Sequence, residues 1–219
     1  MEEAVAPENE PLSALAHLLG FLLATAGLVL LVVFAAERAT VWHVVGFSVY
    51  GTSAMLLYLA STLYHWLPLT HRAKTVLQRV DHAAIFVLIA GTYTPITLTS
   101  PNRGWGWSMF GVIWGLAAVG IIIKIANIHL NKWYAALPYL IMGWLVVIAF
   151  NPLVGSIPGA GRWWLLAGGV LYTVGTLFFA LDYFRPRARW FGYHEIWHLF
   201  VLGASFCHFW TMLRYVLYL

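Results

Sequence analysis

The sequence predicts an all-α polytopic membrane protein, a seven-transmembrane helix bundle with its N-terminus in the cytoplasm and its C-terminus outside. Three observations carry this expectation. The 219 residues are 62% hydrophobic and only 9% charged, with a mean hydropathy of +0.80. A soluble domain carries about 25% charged residues, so lipid must solvate most of this surface. Apolar runs of membrane-spanning length recur along the chain, and Lys and Arg are distributed unevenly between them.

A bilayer core takes roughly 20 apolar residues per helix. Such runs lie at about 12–35, 41–64, 80–99, 107–126, 133–150, 162–182 and 192–217. Between them stand Glu37-Arg38, HRAKTVLQR, PNRGWGW, NIHLNK, NPLVGSIPGAGR and DYFRPRAR, all polar or rich in Gly and Pro. The fifth run is short and holds Pro138 near its start. Residues 1–11 read as an acidic lead-in and 12–219 as one seven-helix transmembrane domain. The start, MEEAVAPENEPLS, lacks a basic n-region, so no cleavable signal peptide is expected. Twelve Trp suit the two membrane–water interfaces. The single Cys207 excludes internal disulfides and a thiolate-rich zinc site.

Orientation follows from the cations. Loops on the N-terminal side carry Arg72, Lys74, Arg79, Lys124, Lys132, Arg185, Arg187 and Arg189; the other side carries only Arg38, Arg103, Arg162 and Arg214. By the positive-inside rule the N-terminal side faces the cytoplasm. For a bacterial chain, that places the protein in the inner (plasma) membrane. The net charge of +4 comes without a basic run or face, so no nucleic-acid partner is expected.

Only eight acids are present. Glu2, Glu3, Glu8 and Glu10 lie in the lead-in, Glu37 in a loop, and Asp182 at the end of the sixth run. Asp81 and Glu195 remain, both just inside spans on the cytoplasmic side. An ionisable residue within a span marks a functional site by default. Three histidines lie at the same depth. His65 ends the second span, four residues after Ser61, while His194 and His198 open the seventh, one helical turn apart on one face. Topology alone thus brings Ser61, His65, Asp81, His194 and His198 to one end of the bundle.

Three imidazoles suit Zn²⁺, which in catalytic sites takes three protein ligands and keeps one position open. There the ion acts as a Lewis acid. Asp81 is the carboxylate suited to proton transfer. Ser61 is suited to hydrogen-bond a water, a ligand ring or a developing oxyanion. A polar interfacial network without metal is the bland alternative. His43, His71 and His129, at loop edges, read as structural or interfacial. His82 follows Asp81 but points to another face. His17, four residues after Ser13, reads either as structural or as a partner to the metal ligands. His208, roughly 15 Å beyond His198 along the helix, is too distant to share an ion. His194-Glu195-Ile196-Trp197-His198 also fits the H-E-x-x-H pattern of metalloproteases, where Glu is the general base.

At these residues the chain resembles the hemolysin III family, the bacterial branch of the progestin and adipoQ receptors, which include the adiponectin receptors. The resemblance is carried by SALAHLLG at 13–20, Ser-Thr-Leu-Tyr-His at 61–65, DHAAIFVLIAGTYTP at 81–95 and HEIWHLFVLGASFCHF at 194–209. It implies seven helices, an inside N-terminus and zinc near the cytoplasmic ends, with His65, His194 and His198 as ligands and Ser61 and Asp81 completing the pattern. Adiponectin receptors are similar to lipid-amide hydrolases, ceramidases in particular. The chain lacks the receptors' long N-terminal cytoplasmic domain, which favours a minimal core over adiponectin-like signalling.

Two functions compete. One is a zinc-dependent hydrolase acting on an apolar amide or ester of a membrane lipid. The other is a non-enzymatic sensor or membrane-perturbing protein in which zinc clips span two to span seven. An intramembrane metalloprotease is a minor alternative. A channel is weaker still, because no span carries a polar stripe along its whole length.

Overall fold

The computed structural model describes residues 10–126, 136–182 and 191–219. The lead-in before Glu10, His129, Lys132, Arg185, Arg187 and Arg189 lie outside the described residues. Among the latter no strand occurs, and six helices are long and apolar enough to cross a membrane. They are α1 (Pro11–Arg38), α2 (Val41–Trp66), α3 (His71–Thr99), α4 (Arg103–Ile125), α6 (Gly159–Asp182) and α7 (Tyr193–Arg214), with the short α5 (Leu137–Trp144) between α4 and α6. The protein is an all-helical integral membrane protein.

Helix ends follow local chemistry. Pro11 opens α1, where its missing N–H leaves nothing unsatisfied. Thr70 Oγ1 accepts the Ala73 N–H at the start of α3, and Asn102 Oδ1 accepts the Trp105 N–H at the start of α4. At α2 the His43 ring makes the cap: Nδ1 sits 2.9 Å from Thr40 Oγ1 while Nε2 reaches the Val216 carbonyl at 3.1 Å. His43 is thereby structural, as expected, and ties the start of α2 to the C-terminal turn.

Each helix packs on its neighbour from α1 to α4, α6 packs on α7, and α7 returns to α1. Small residues permit the closest approaches. Gly46 of α2 lies against the backbone of Pro95, and Gly91 of α3 faces Ser53, so a Cβ at either position would collide. Most of α3 is buried by its neighbours, whereas α1, α4 and α6 turn long apolar faces outward, including Leu22, Leu23, Ile122, Ile125 and Leu177. Lipid is the solvent those faces fit.

The fifth run differs from the continuous span expected at 133–150. Its described part is the eight-residue α5, a single turn at Leu145–Val147 and a wide turn at Phe150–Val154. A side chain interrupts its ladder: the Tyr93 hydroxyl lies 3.0 and 2.8 Å from the carbonyl oxygens of Met142 and Gly143 and accepts the Val146 N–H at 2.8 Å. An inserted polar group of this kind breaks the helical repeat. The segment accompanies α3 along its length, from Tyr139 on the His82 carbonyl to Pro152, whose carbonyl accepts Ser100 Oγ.

Candidate metal centre

The centre forms where the end of α2 meets the start of α7. His65 is the penultimate residue of α2 and Ser61 stands one turn before it, while His194 and His198 occupy the first two turns of α7. Their Nε2 atoms point at one another. His198 Nε2 is 3.1 Å from His194 Nε2, which is 3.5 Å from His65 Nε2, and ligand atoms of all three lie within 4.8 Å of one another. His65 and His198 are buried. Two imidazole nitrogens on one tetrahedral zinc, each at 2.0–2.1 Å, stand about 3.3 Å apart. The donor set therefore fits the ion. Among the described residues no fourth His, Cys, Asp or Glu joins the group.

Glu10, read from the sequence as part of the lead-in, belongs to this centre. Its backbone N–H donates to the His65 carbonyl at 3.2 Å. Its Oε2 lies 2.8 Å from His65 Nδ1 and 3.5 Å from His194 Nε2. A carboxylate accepting the Nδ1 proton holds the His65 ring in the tautomer whose Nε2 lone pair faces the other histidines. Glu10, Ser13 and His17 follow at spacings of three and four, so they share one helix face. That spacing was the sequence signal available for Glu10.

Ser13 meets the other acid near the centre. Its hydroxyl donates to Glu195 Oε1 at 3.1 Å, and Glu195 Oε2 accepts the Gly192 N–H at 2.8 Å. Both oxygens of the H-E-x-x-H glutamate are thus occupied in capping α7 and joining it to α1. His17 stacks on His198, with ring centroids 3.8 Å apart and planes inclined at 23°.

Asp81 and Ser61, from adjacent helices, are buried and hydrogen-bonded to each other. Both line a cavity of about 220 Å³ that runs from His17 and Asp81 towards Arg162 and His208, walled mostly by apolar side chains. His82, expected on another face, also reaches its wall. The hydroxyls of Tyr58 and Tyr172 meet Ser205 Oγ at 2.7 and 2.8 Å, and of these three residues Tyr172 lines the cavity. His208 stays apart from the trio, its Nε2 on the Leu165 carbonyl at 3.2 Å. The structure thus brings all five residues singled out from the sequence to one end of the bundle, with the three histidines converging and Ser61 and Asp81 beside them.

A family model described as haemolysin-III related matches residues 5–209. The chain is 42% identical over 209 residues to a Hemolysin-3 homolog of Bacillus subtilis (strain 168), covering 95% of this chain and 94% of that protein. It is also 42% identical over 212 residues to Hemolysin-3 of Bacillus cereus, with 96% and 93% covered. A more distant similarity, 29% over 190 residues, links it to the monocyte to macrophage differentiation factor of Homo sapiens, with 82% and 71% covered.

Proposed function

The chain belongs to the haemolysin-III-related family, and from that premise we propose that it is a zinc-dependent hydrolase of lipid amides or esters in the bacterial inner membrane. The observation that carries this is the convergence of three histidine Nε2 atoms beside the Asp81–Ser61 wall of an apolar cavity. His65, His194 and His198 would hold the ion. Zinc, when bound, supplies Lewis acidity at the polar end of the cavity. The set of three ligands, with no fourth among the described residues, favours chemistry over a closed structural site.

The chain's own residues do the remainder. The apolar walls take the acyl chain and exclude bulk water, setting the amide or ester carbonyl at the polar end. Asp81 accepts a proton from the water that attacks the carbonyl carbon. It returns that proton to the departing nitrogen or oxygen as the C–N or C–O bond breaks. Ser61 donates its hydroxyl to the Asp81 carboxylate and so orients it. Glu10 keeps the His65 ring aligned.

The same reading includes seven crossings, with the N-terminus in the cytoplasm. Glu10 sits at the His65 end of α2, whereas Val216 sits at the His43 end. Among the described residues, first and last segments at opposite ends of α2 agree with an odd number of crossings. Six full helices leave the segment from α5 to Val154, which follows α3 from His82 to Ser100, as the seventh.

The second reading, a membrane-perturbing protein, is favoured by the names of the Hemolysin-3 relatives. Zinc would then clip α2 to α7, and its removal would lower thermal stability without loss of chemistry. The metalloprotease alternative is less favoured, because Glu195 caps α7 and joins it to α1 through its two oxygens. The test is purified, zinc-loaded protein presented with lipid amides and esters, with products followed by mass spectrometry. Wild type turns over at least one, and Asp81→Ala keeps its zinc but loses turnover. If zinc-loaded wild type turns over none, the hydrolase reading is wrong.

A further inference from the structure

Four arginines, Arg38, Arg103, Arg162 and Arg214, lie at the end of the bundle opposite the metal centre. Three are committed. Arg38 stands 3.8 Å from Glu37, Arg103 Nη1 donates to the Leu98 carbonyl at 2.6 Å, and Arg162 lies in the wall of the cavity. Arg214, in the last turn of α7, is exposed, and among the described residues no carbonyl or carboxylate takes its N–H groups. Its guanidinium rests over the Trp210 ring, 5.8 Å from the centroid.

Phe206, Trp210 and Arg214 recur at every fourth residue, so they form one column on α7. Phe206 is 54% exposed and stacks on Trp210, with centroids 6.2 Å apart and planes inclined at 25°. Trp164 of α6 flanks the column, its ring 6.3 Å from Phe206 and 6.4 Å from Trp210. Both tryptophans are half-buried, and among the described residues their indole N–H groups have no partner and are not buried. The column thus presents an apolar ring, then two unpaired donors, then an unpaired cation, in that order towards the helix end.

We propose that this face of α6 and α7 binds one anionic phospholipid of the leaflet at that end. The phosphodiester lies on Arg214, whose planar fork matches phosphate oxygens. The ester carbonyls accept the indole N–H groups of Trp164 and Trp210, and an acyl chain runs along Phe206. The column rises roughly 12 Å, enough to pass from the acyl chains through a headgroup layer about 5–8 Å thick. An aromatic belt alone suits any lipid; the unpaired guanidinium makes this site selective for charge. Glu37 is taken up with Arg38, so no described acid beside Arg214 receives the ammonium of a zwitterionic head. The metal centre takes no part, and the site stands or falls independently of the function proposed above.

The test is a lipid titration of the full-length protein in a non-ionic detergent, read by native mass spectrometry. Phosphatidylglycerol and phosphatidylcholine with identical acyl chains are the probes. Wild type binds the first phosphatidylglycerol about tenfold more tightly than phosphatidylcholine, the size of one hydrogen bond to a charged group. Arg214→Gln abolishes that preference, Trp210→Leu weakens both lipids, and Arg38→Gln leaves the preference intact. A photoactivatable phosphatidylglycerol labels the stretch 206–214 of wild type, a readout that needs no variant to fold. The proposal is overturned if wild type prefers neither lipid, or if Arg214→Gln keeps the preference. It is equally overturned if Trp210→Leu changes nothing, if Arg38→Gln abolishes the preference as fully as Arg214→Gln, or if the label lies elsewhere.

Discussion

The carboxylate of Glu10 lies 2.8 Å from Nδ1 of His65, the ring atom opposite the one that faces His194 and His198. A partner in that position sets which nitrogen carries the proton and how the ring is aimed. Glu10→Gln keeps the shape and removes the charge. Zinc affinity, measured by competition with a chelator, should weaken by about 10–100-fold, the range for such partners. Unchanged affinity would show that Glu10 plays no part in holding the ion.

His198 and His208 share α7 but have different partners. His198 faces the two other imidazoles, while His208 bonds the Leu165 carbonyl. His198→Ala should remove bound zinc as read by elemental analysis. His208→Ala should retain it and lose some thermal stability. Zinc loss in both variants would contradict the assignment of ligands.

Glu195 accepts the Gly192 N–H and the Ser13 hydroxyl. Its expected role is to fasten the start of α7, not to move protons. Glu195→Ala should lower stability by about 1 kcal/mol, as lost helix caps do, while zinc content and any lipid-amide turnover persist. A folded, zinc-bound variant without turnover would restore Glu195 to the chemistry.

The Tyr93 hydroxyl joins the Met142 and Gly143 carbonyls and the Val146 N–H. Tyr93→Phe leaves these buried groups without that partner. A loss of about 1–3 kcal/mol is expected, measured as a shift in the unfolding midpoint of the detergent-solubilised protein. Zinc content should not change, because Tyr93 is not among the candidate ligands His65, His194 and His198.

The sequence made the grouping of Ser61, His65, Asp81, His194 and His198 legible because a membrane fixes depth: residues near helix ends on one side must share a level. It hid Glu10 because hydropathy sees an acidic tail before Pro11. What places Glu10 is a long-range backbone bond to His65. Hydropathy also reports depth rather than helicity, which explains the start of α3. The apolar run begins at about residue 80, but the helix begins at His71 under the Thr70 cap. Lys74 braces that polar first stretch, with Nζ on the Leu67 carbonyl at 3.3 Å. The broken fifth run was illegible for a further reason. The group that interrupts its ladder, Tyr93, belongs to another helix.

The centre draws on both extremes of the chain. His65 and His194 are 129 positions apart, and Glu10 precedes the first helix. During synthesis α2 enters the membrane early, carrying one of the three nitrogens, and α7 enters last with the other two. No nascent intermediate holds more than one of the three candidate ligands, so if they bind an ion its capture would wait until translation is nearly finished. On the zinc reading, metal loading would report that α7 has closed against α1 and α2, and a chain stalled before its last helix would be unable to acquire the ion.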